Sequence, residues 1–113
     1  MKNIFQKIID KEIPADIVYE DEKTLAFKDI NPIAPIHILV IPKKTIKNLQ
    51  DISPEDNEII IHLISTIQKI AANQGLDING YRVITNIGDY GGQTVYHLHF
   101  HILGGRPLKW EVL

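Results

Sequence analysis

Three histidines stand at every second position near the end of the chain, at His97, His99 and His101. The residues between them are apolar, as is Ile102. Strict alternation of this kind predicts a strand over 95–103, with the three imidazoles on one face. An ordinary half-buried strand carries Thr, Lys or Glu at such positions. Three imidazoles within five residues therefore indicate chemistry.

A row of imidazoles can bind a metal ion. Neighbouring same-face residues of a strand lie roughly 6–7 Å apart, so His97 and His101 would be ~13 Å apart. One zinc ion, held at ~2.0–2.1 Å from each nitrogen, cannot easily collect all three. Two of them could still join a third ligand such as His37 or Asp29. No second cluster at ligand spacing accompanies the strand, so the metal site is the weaker interpretation.

The same row can instead contain a central nucleophile and two supporting imidazoles. Neutral histidine is a good nucleophile near neutral pH because its unperturbed pKa is about 6.5. One ring nitrogen of His99 must then be held by an acceptor, such as a backbone carbonyl, so that the other is bare. Attack on phosphorus would give a covalent phosphoramidate and divide a difficult substitution into two easier steps.

A glycine-punctuated loop over 86–94 immediately precedes the histidines. Its glycines allow backbone N–H groups to converge on an anion, and Gln93 and Thr94 add side-chain donors for phosphoryl oxygens. Such runs usually mark only a turn. Directly before a nucleophile strand, the loop favours phosphate as the target.

Composition restricts the class of protein. With 113 residues, 44% of them hydrophobic and 23% charged, the chain fits one globular domain over 1–113. A net charge of −2 gives no electrostatic reason to expect a nucleic-acid or membrane partner. The lack of cysteine excludes disulfides, thiolate metal sites and a cysteine nucleophile. No signal peptide or bilayer-length apolar run is visible, so we expect a cytoplasmic protein.

The elements that must position the histidines make one α+β unit. Helical spacing predicts a short amphipathic helix over 3–11, which Pro14 ends. Strands are predicted over 16–20, 24–27, 37–41 and 81–85, and the third of these, stopped by Pro42, is expected to be central. With the histidine strand they form an antiparallel sheet.

The longest predicted helix has the clearest boundaries. Ser53 fits its N-cap, Pro54 its first position and Gly75 its left-handed C-terminal cap. Its apolar stripe consists of Ile60, Leu63, Ile64, Ile67, Ile70 and Ala71. Ile59 and Ile61 widen the apolar surface beyond one face, which predicts a subunit interface.

Motifs along nearly the whole chain resemble one family. They are Phe5-x-x-Ile8-Ile9-x-x-Glu12-Ile13-Pro14-Ala15, Ala26-Phe27-x-Asp29-Ile30-x-Pro32, Ala34-Pro35-x-His37-x-Leu39-Val40-Ile41-Pro42-Lys43, Gly91-Gly92-Gln93-Thr94-Val95-Tyr96, His97-Leu98-His99-Phe100-His101-Ile102-Leu103, and Gly104-Gly105-Arg106 with Trp110. The histidine segment is similar to the His-φ-His-φ-His-φ-φ signature of the histidine triad superfamily, where φ is apolar. The other segments resemble its nucleotide-binding branch.

This resemblance implies a HIT-like fold and a homodimeric hydrolase of P–N bonds in purine nucleoside 5′-phosphoramidates, with no cofactor or metal. His99 would be the nucleophile that becomes transiently nucleotidylated. His97 and His101 would orient it and serve substrate oxygens or the leaving group. His37 would complete the polar cluster.

The resemblance also implies the nucleotide contacts. Asp29 would accept the ribose hydroxyls. The apolar base pocket would consist of Phe5, Ile8, Ile13, Phe27 and Ile30, and the phosphate region would be contacted by Asn86, Gly92, Gln93 and Thr94. The motif commonly has serine at the position of Thr94, so leaving-group positioning can differ. The tail after Arg106 would approach the active site of the partner subunit.

Alternatives remain beside the metal-independent hydrolase. The chain could be a nucleotide-binding regulatory or scaffold dimer with weak catalysis, and two of the histidines could bind a metal. Local sequence also allows His37 to be a core histidine whose ring N–H is hydrogen-bonded to a carbonyl, and Asp29 to cap a turn. Phe5, Ile8 and Phe27 would be core residues on any interpretation of the pattern.

Overall fold

The computed structural model describes residues 1–110 and contains a five-stranded antiparallel sheet packed between helices. The strands are β1 (Ile17–Glu20), β2 (Thr24–Lys28), β3 (Ile36–Pro42), β4 (Arg82–Ile84) and β5 (Phe100–Gly104), and their order in the sheet is β1-β2-β3-β5-β4. The α-helices are α1 (Ile4–Ile9), α2 (Asn57–Asn73) and α3 (Leu76–Asn79). The predicted α+β class, with a short N-terminal helix and one long helix, is confirmed.

Strand β3 is central, as predicted, and its pairing decides which residues share a face. Phe27 lies opposite Leu39, Leu39 opposite His101, and His37 opposite Leu103. Directly paired residues of antiparallel strands point to the same side. His37 and His101 are therefore diagonal neighbours on one face, beside the position of Phe27.

The two faces of the sheet carry two separate apolar cores. Helix α2 covers one face, where Leu63, Ile67 and Ile70 pack in a cluster with Val40 and Ile102. Helix α1 covers the other face through Phe5 and Ile8, in a cluster with Leu25, Phe27, Leu39 and Ile41. The histidine face is thus the face under the short N-terminal helix.

The histidine strand is shorter than its alternation predicts. Strand β5 begins at Phe100, so only His101 of the three triad histidines lies in the sheet. Its neighbour β4 ends at Ile84, which pairs with His101, and the last pair that β5 makes with β3 joins Phe100 to Val40. Upstream, the backbone N–H of Leu98 donates to the carbonyl of Ile46 at 2.6 Å instead. The predicted strand over 95–103 therefore begins too early. The three imidazoles are still neighbours on the α1 side, because Phe5 packs against both His97 and His99, and the ring centroids of His99 and His101 are 5.2 Å apart.

Helix α2 follows its predicted boundary signals with one adjustment at each end. A 3₁₀ turn over Pro54–Asp56, with a capping box between Ser53 and Asp56, precedes the helix. Gly75 adopts φ +74° after it, as expected for a left-handed cap. Ile64, predicted in the sheet-facing stripe, is 42% exposed, and Ile61 is 67% exposed. None of the described helices has the length and hydropathy needed to cross a bilayer.

Asp21 ties the β1–β2 turn to helix α2. Its carboxylate accepts the backbone N–H groups of Lys23 and Thr24, both at 2.8 Å, and the hydroxyl of Tyr19 at 2.7 Å. It also lies 2.6 Å from Nε2 of His62 on α2. Burial opposes ionisation of Asp21, but the hydrogen bonds from Tyr19 and His62 outweigh it and hold the pKa of this carboxyl well below its usual range. His62 therefore has a structural partner away from the histidine cluster.

Helix α1 ends in a left-handed cap occupied by a residue that is not glycine. Lys11 has φ +62°, its N–H donates to the carbonyl of Ile8 at 3.1 Å, and the N–H of Glu12 donates to the carbonyl of Lys7 at 2.8 Å. These two bonds make a Schellman motif, in which the left-handed position favours glycine. The Cβ of Lys11 is therefore strained at this position.

We expect Lys11→Gly to be more stable than Lys11→Ala by about 1 kcal/mol, because only glycine avoids the left-handed Cβ penalty. The alanine variant is the matched control, since both variants lose the exposed ion pair to Glu20. Urea denaturation of the two variants measures the difference. Equal free energies of unfolding would show that the cap is unstrained.

Candidate active site

His99 is held by a backbone carbonyl in the way that a nucleophilic imidazole needs. Its Nδ1 lies 2.7 Å from the carbonyl oxygen of His97. A carbonyl can only accept, so Nδ1 carries the proton and Nε2 of the neutral ring is bare. Thr85 donates its hydroxyl to the carbonyl of His99 at 2.8 Å and so holds the backbone of this residue.

The bare nitrogen of His99 is accessible although the residue is 95% buried. Its Nε2 has no hydrogen-bond partner among residues 1–110, yet no buried side-chain nitrogen or oxygen of that range lacks one. The atom is therefore open to solvent. The edge of Phe5 packs against the imidazole, with ring centroids 5.0 Å apart at 85°.

His97 is completely buried, and both of its ring nitrogens are already used. Nε2 lies 2.8 Å from the carbonyl of Pro42, and Nδ1 lies 3.3 Å from the side-chain amide nitrogen of Asn3. Because the carbonyl must accept, Nε2 carries the proton and Nδ1 accepts from Asn3. His97 can therefore orient His99 through its carbonyl. Its ring has no nitrogen left for a substrate oxygen, unlike the predicted role.

His37 and His101 form a pair whose proton positions follow from one backbone donor. The N–H of Ile33 donates to Nδ1 of His37 at 3.3 Å, so the proton of neutral His37 is on Nε2. That nitrogen lies 2.9 Å from Nδ1 of His101 and donates to it. His101 must then carry its own proton on Nε2, which has no protein partner among residues 1–110 and is accessible for the same reason as His99 Nε2.

Burial keeps the four imidazoles neutral. It lowers the pKa of His37, His97 and His99 below the ordinary histidine value, although Asp29 raises the pKa of His37 and His99. The pKa of His101 is lowered to about 4, first by burial and then by repulsion from His99 and His37. At neutral pH, His99 offers a lone pair at Nε2 and His101 offers an N–H donor at Nε2.

Asp29 takes part in a turn and also faces the histidine pair. One carboxylate oxygen accepts the N–H of Asn31 at 2.8 Å, which is the simple turn-cap role. The other lies 3.5 Å from Nε2 of His37. Ligand atoms of Asp29, His37 and His101 lie within 4.8 Å of one another, as a metal site would require. The Nε2 proton of His37 already lies between His37 and His101, however, and a cation bound there would have to displace it.

The predicted base pocket is mostly a packed apolar wall. Phe5 meets Phe27 edge-on, with ring centroids 5.6 Å apart, and Ile8 is buried with them. Ile13 is half-buried beside this cluster. Ile30 is 88% exposed and lies outside it. Since it directly follows Asp29, Ile30 is available to cover an apolar ligand, but it forms no part of the wall.

The glycine loop is held together by Gln93. Its amide nitrogen donates to the carbonyls of Lys47 at 2.8 Å and Val95 at 3.1 Å, and its amide oxygen accepts from Gly88 N–H and the Asn48 amide. Both amide hydrogens are thus committed within the protein. This differs from the predicted use of the Gln93 side chain as a phosphate donor.

The other predicted phosphate residues differ in what they still offer. Asn86 donates one amide hydrogen to the carbonyl of Gly91 at 2.8 Å and retains the second. Gly92, at φ +82°, donates its N–H to the carbonyl of Asp89 at 3.1 Å. Thr94 is exposed, and its hydroxyl has no partner within residues 1–110. The Thr94 hydroxyl is therefore free for a ligand.

Comparison with known proteins gives the same family as the histidine pattern. The family model described as the HIT domain matches residues 10–108. The chain belongs to the HIT domain family.

Similar HIT proteins have been named and solved in several bacteria. The chain is 58% identical over 107 residues to an uncharacterized HIT-like protein of Synechococcus elongatus, covering 95% of this chain and 93% of the relative. It is 50% identical to a purine nucleoside phosphoramidase of Escherichia coli, covering 95% and 90%. The HIT family hydrolase from Legionella pneumophila Philadelphia 1 superposes with a TM-score of 0.95 at 44% identity, over 98% and 99% of the two chains.

Several residues that build this HIT site could not be assigned to it from sequence. Asn3 and Gln6 form a capping box on α1, a recognisable sequence signal, but the bond from Asn3 to His97 depends on tertiary packing. Thr85 lies in a predicted strand, with no local feature that marks it. Ile33 acts through its backbone N–H, which any residue except proline would supply.

We expect nitrogen-15 NMR of the imidazoles at neutral pH to give two different neutral tautomers. His99 should carry its proton on Nδ1, while His37, His97 and His101 should carry theirs on Nε2, because of the fixed backbone partners. Long-range proton–nitrogen correlation spectra distinguish the two forms. A protonated ring or the opposite tautomer at His99 would contradict the geometry.

Proposed function

We propose that this single-domain HIT protein hydrolyses the P–N bond of purine nucleoside 5′-phosphoramidates through a covalent nucleotidyl-His99 intermediate. The observation that carries the proposal is the accessible, unprotonated Nε2 of His99, whose opposite nitrogen is fixed by the His97 carbonyl. The phosphoramidase of Escherichia coli and the hydrolase of Legionella pneumophila, both similar to this chain, support the same reaction class.

The first step forms the bond between His99 Nε2 and phosphorus and breaks the bond between phosphorus and the leaving nitrogen. The amine departs after taking a proton from solvent. His99 gains positive charge as it attacks, and the His97 carbonyl, 2.7 Å from Nδ1, stabilises that charge. The Nε2–H of His101 donates to a phosphoryl oxygen, where negative charge develops.

The second step returns the enzyme to its starting state. Water attacks the phosphorus, the bond to His99 Nε2 breaks, and the water gives up one proton to solvent. The products are the nucleoside monophosphate and a neutral His99 that is still protonated at Nδ1. His99 leaves as a neutral imidazole because its Nδ1 proton never departs.

The remaining residues define a purine nucleotide site around this centre. The carboxylate oxygen of Asp29 that faces His37 is placed to accept ribose hydroxyls. The wall of Phe5, Ile8 and Phe27, with Ile13 packed against it, would contact the base, and the exposed side chain of Ile30, directly after Asp29, is available to cover the base. Thr94 and the second amide hydrogen of Asn86 are free for the phosphate, and the left-handed backbone at Gly92 shapes the loop there.

We expect His99→Ala to lose turnover of adenosine 5′-phosphoramidate by roughly a thousandfold or more, since it removes the nucleophile. His62→Gln is the control, because it alters an imidazole bound to Asp21 on α2 and should keep normal turnover. Amine release measures the rate. A rapid quench in alkaline denaturant, followed by peptide mapping, should locate the nucleotide on His99.

Two outcomes would reject this proposal. Negligible turnover in both the wild type and His99→Ala, with AMP binding retained, would favour the alternative of a nucleotide-binding regulatory or scaffold dimer. Turnover that a chelator abolishes, with a stoichiometric metal in the protein, would favour the metal site instead.

We expect kcat/KM to stay constant as pH falls from 8 to the ordinary histidine pKa of about 6.5, and to decline only below it. Protonation of Nε2 removes the attacking lone pair, and burial lowers the pKa of His99, so the loss begins at a lower pH than for an exposed histidine. Circular dichroism over the same range separates this loss from unfolding. An acid limb at or above the ordinary value would contradict it.

We further propose that the active protein is a homodimer joined through α2 and the sheet edge at β4. Ile61 and Ile64 are exposed on α2, and Val83 is 42% exposed on the edge strand. An apolar face beside an unpaired edge is well suited to a second copy.

The predicted approach of the C-terminal tail to the partner's active site involves residues 107–110 and also residues 111–113, which lie outside the described part of the chain.

We expect Ile61→Glu combined with Ile64→Glu to convert the dimer to a monomer in sedimentation velocity, because charge would be buried at the interface. Ile17→Glu places the same charge on β1, the opposite edge of the sheet, and should remain dimeric. A monomeric wild type, or a double variant that still dimerises, would reject this interface.

A further inference from the structure

The C-terminal segment after β5 lies directly against the loop that precedes β3. A Cβ added to Gly105, which has φ +95°, would fall 2.9 Å from the Cβ of Pro35. The guanidinium of the next residue, Arg106, donates from Nη2 to the carbonyl of Ile33 at 3.1 Å. Its Nη1 donates to the carbonyl of Pro107 at 2.9 Å. The Arg106 guanidinium is thus held at the backbone carbonyl of Ile33.

Ile33 connects this arginine to the catalytic cluster. Its carbonyl accepts from Arg106, and its N–H donates to Nδ1 of His37. Asp29 accepts the N–H of Asn31 earlier in this loop, and Arg106 holds the loop again at Ile33. The position of Ile33 therefore depends on a side chain that hydrogen-bonds to none of the four histidines.

We propose that Arg106 is a positioning residue of the active site, which acts through the backbone of Ile33 to fix the tautomers of His37 and His101. Its kinetic consequence rests on the proposed phosphoramidase function, whereas the tautomers themselves do not. Arg106 acts without touching the rings, since its guanidinium donates to the carbonyls of Pro107 and Ile33.

The direction of each hydrogen bond carries the influence of Ile33 through the His37 ring to the His101 ring. While Ile33 N–H donates to His37 Nδ1, the only proton of neutral His37 must sit on Nε2 and point at His101. Without that donor, His37 can carry its proton on Nδ1. His101 would then have to donate from its own Nδ1, and its Nε2 would lose the hydrogen that faces the substrate.

Two features around His37 and His101 limit how far Arg106 can shift their tautomers. The Ile33 bond is long at 3.3 Å, so its geometry is sensitive to how Arg106 holds the carbonyl. The carboxylate of Asp29, 3.5 Å from His37 Nε2, favours a proton on that nitrogen by itself. Loss of Arg106 should therefore shift the tautomer balance partly, without inverting it.

A simpler role for Arg106 would be to hold the C-terminal segment. Arg82 does hold it, since Nη1 donates to the carbonyl of Lys109 at 2.6 Å and Nη2 to that of Leu108 at 3.4 Å. Arg82 makes no contact with Ile33. It is therefore the matched control, an arginine that binds the same segment through the same kind of bond.

The test compares Arg106→Met, Arg106→Lys and Arg82→Met by imidazole nitrogen-15 NMR at pH 7.5. In Arg106→Met we expect the His37 and His101 nitrogen shifts to move toward the average of the two tautomers, with His97 and His99 unchanged. Arg106→Lys should restore part of the wild-type pattern, because lysine keeps the charge without the fork. Arg82→Met should leave all four rings unchanged.

A second variant removes the donor itself. Ile33→Pro eliminates the N–H and should move the same two rings further than Arg106→Met does. With adenosine 5′-phosphoramidate, Arg106→Met should lower kcat by roughly 3- to 10-fold, as expected for loss of one exposed charge-assisted bond, with KM within about twofold.

Unchanged His37 and His101 shifts in Arg106→Met or Ile33→Pro would overturn the proposal, as would equal shifts in Arg82→Met. Because the NMR readout needs no substrate, it judges the positioning role even if the wild type proves to have no turnover. In that case the phosphoramidase proposal fails alone.

Discussion

The contact on which the site depends is the hydrogen bond between the His99 ring and the carbonyl of His97. It selects one of two neutral tautomers and so decides which nitrogen can attack. That carbonyl is itself held in place because the His97 ring is clamped between the Pro42 carbonyl and Asn3. The His99 ring is therefore oriented by a chain of contacts that begins at the cap of the first helix.

Burial and hydrogen bonding act together at this site. A buried imidazole resists protonation, which keeps the lone pair available, but a buried polar ring is costly unless its nitrogens are satisfied. Four histidines satisfy this condition with backbone groups, Asn3 and one another. Among residues 1–110, the two ring nitrogens of this cluster without hydrogen-bond partners are Nε2 of His99 and Nε2 of His101, and both are open to solvent. A bare nitrogen and an N–H donor thus stand on neighbouring rings, whose centroids are 5.2 Å apart.

The sequence predicts a helix or strand best where its local residue pattern agrees with its place in the fold. Capping residues predicted the ends of α2, and an uninterrupted apolar run stopped by Pro42 predicted the central strand β3. The alternation at His97 to His101 predicts a strand that begins too early, because pairing depends on how far β3 and β4 run beside it, which no local pattern reports. The sequence predicts a phosphate donor at Gln93, because the groups that occupy its side chain, at Lys47 and Asn48, are remote in sequence.

The hardest features to predict are those supplied by the backbone. The carbonyls of His97 and Pro42 and the N–H of Ile33 set three of the four tautomers, and none of them depends on the identity of its own side chain. Such groups can be recognised only when the fold is known, since nearly every residue has them. The different cover of the two sheet faces explains why these backbone groups gather around the histidines. The α2 face is filled by apolar side chains, whereas the α1 face has a shorter helix, whose limited cover leaves imidazoles and backbone groups to complete the packing.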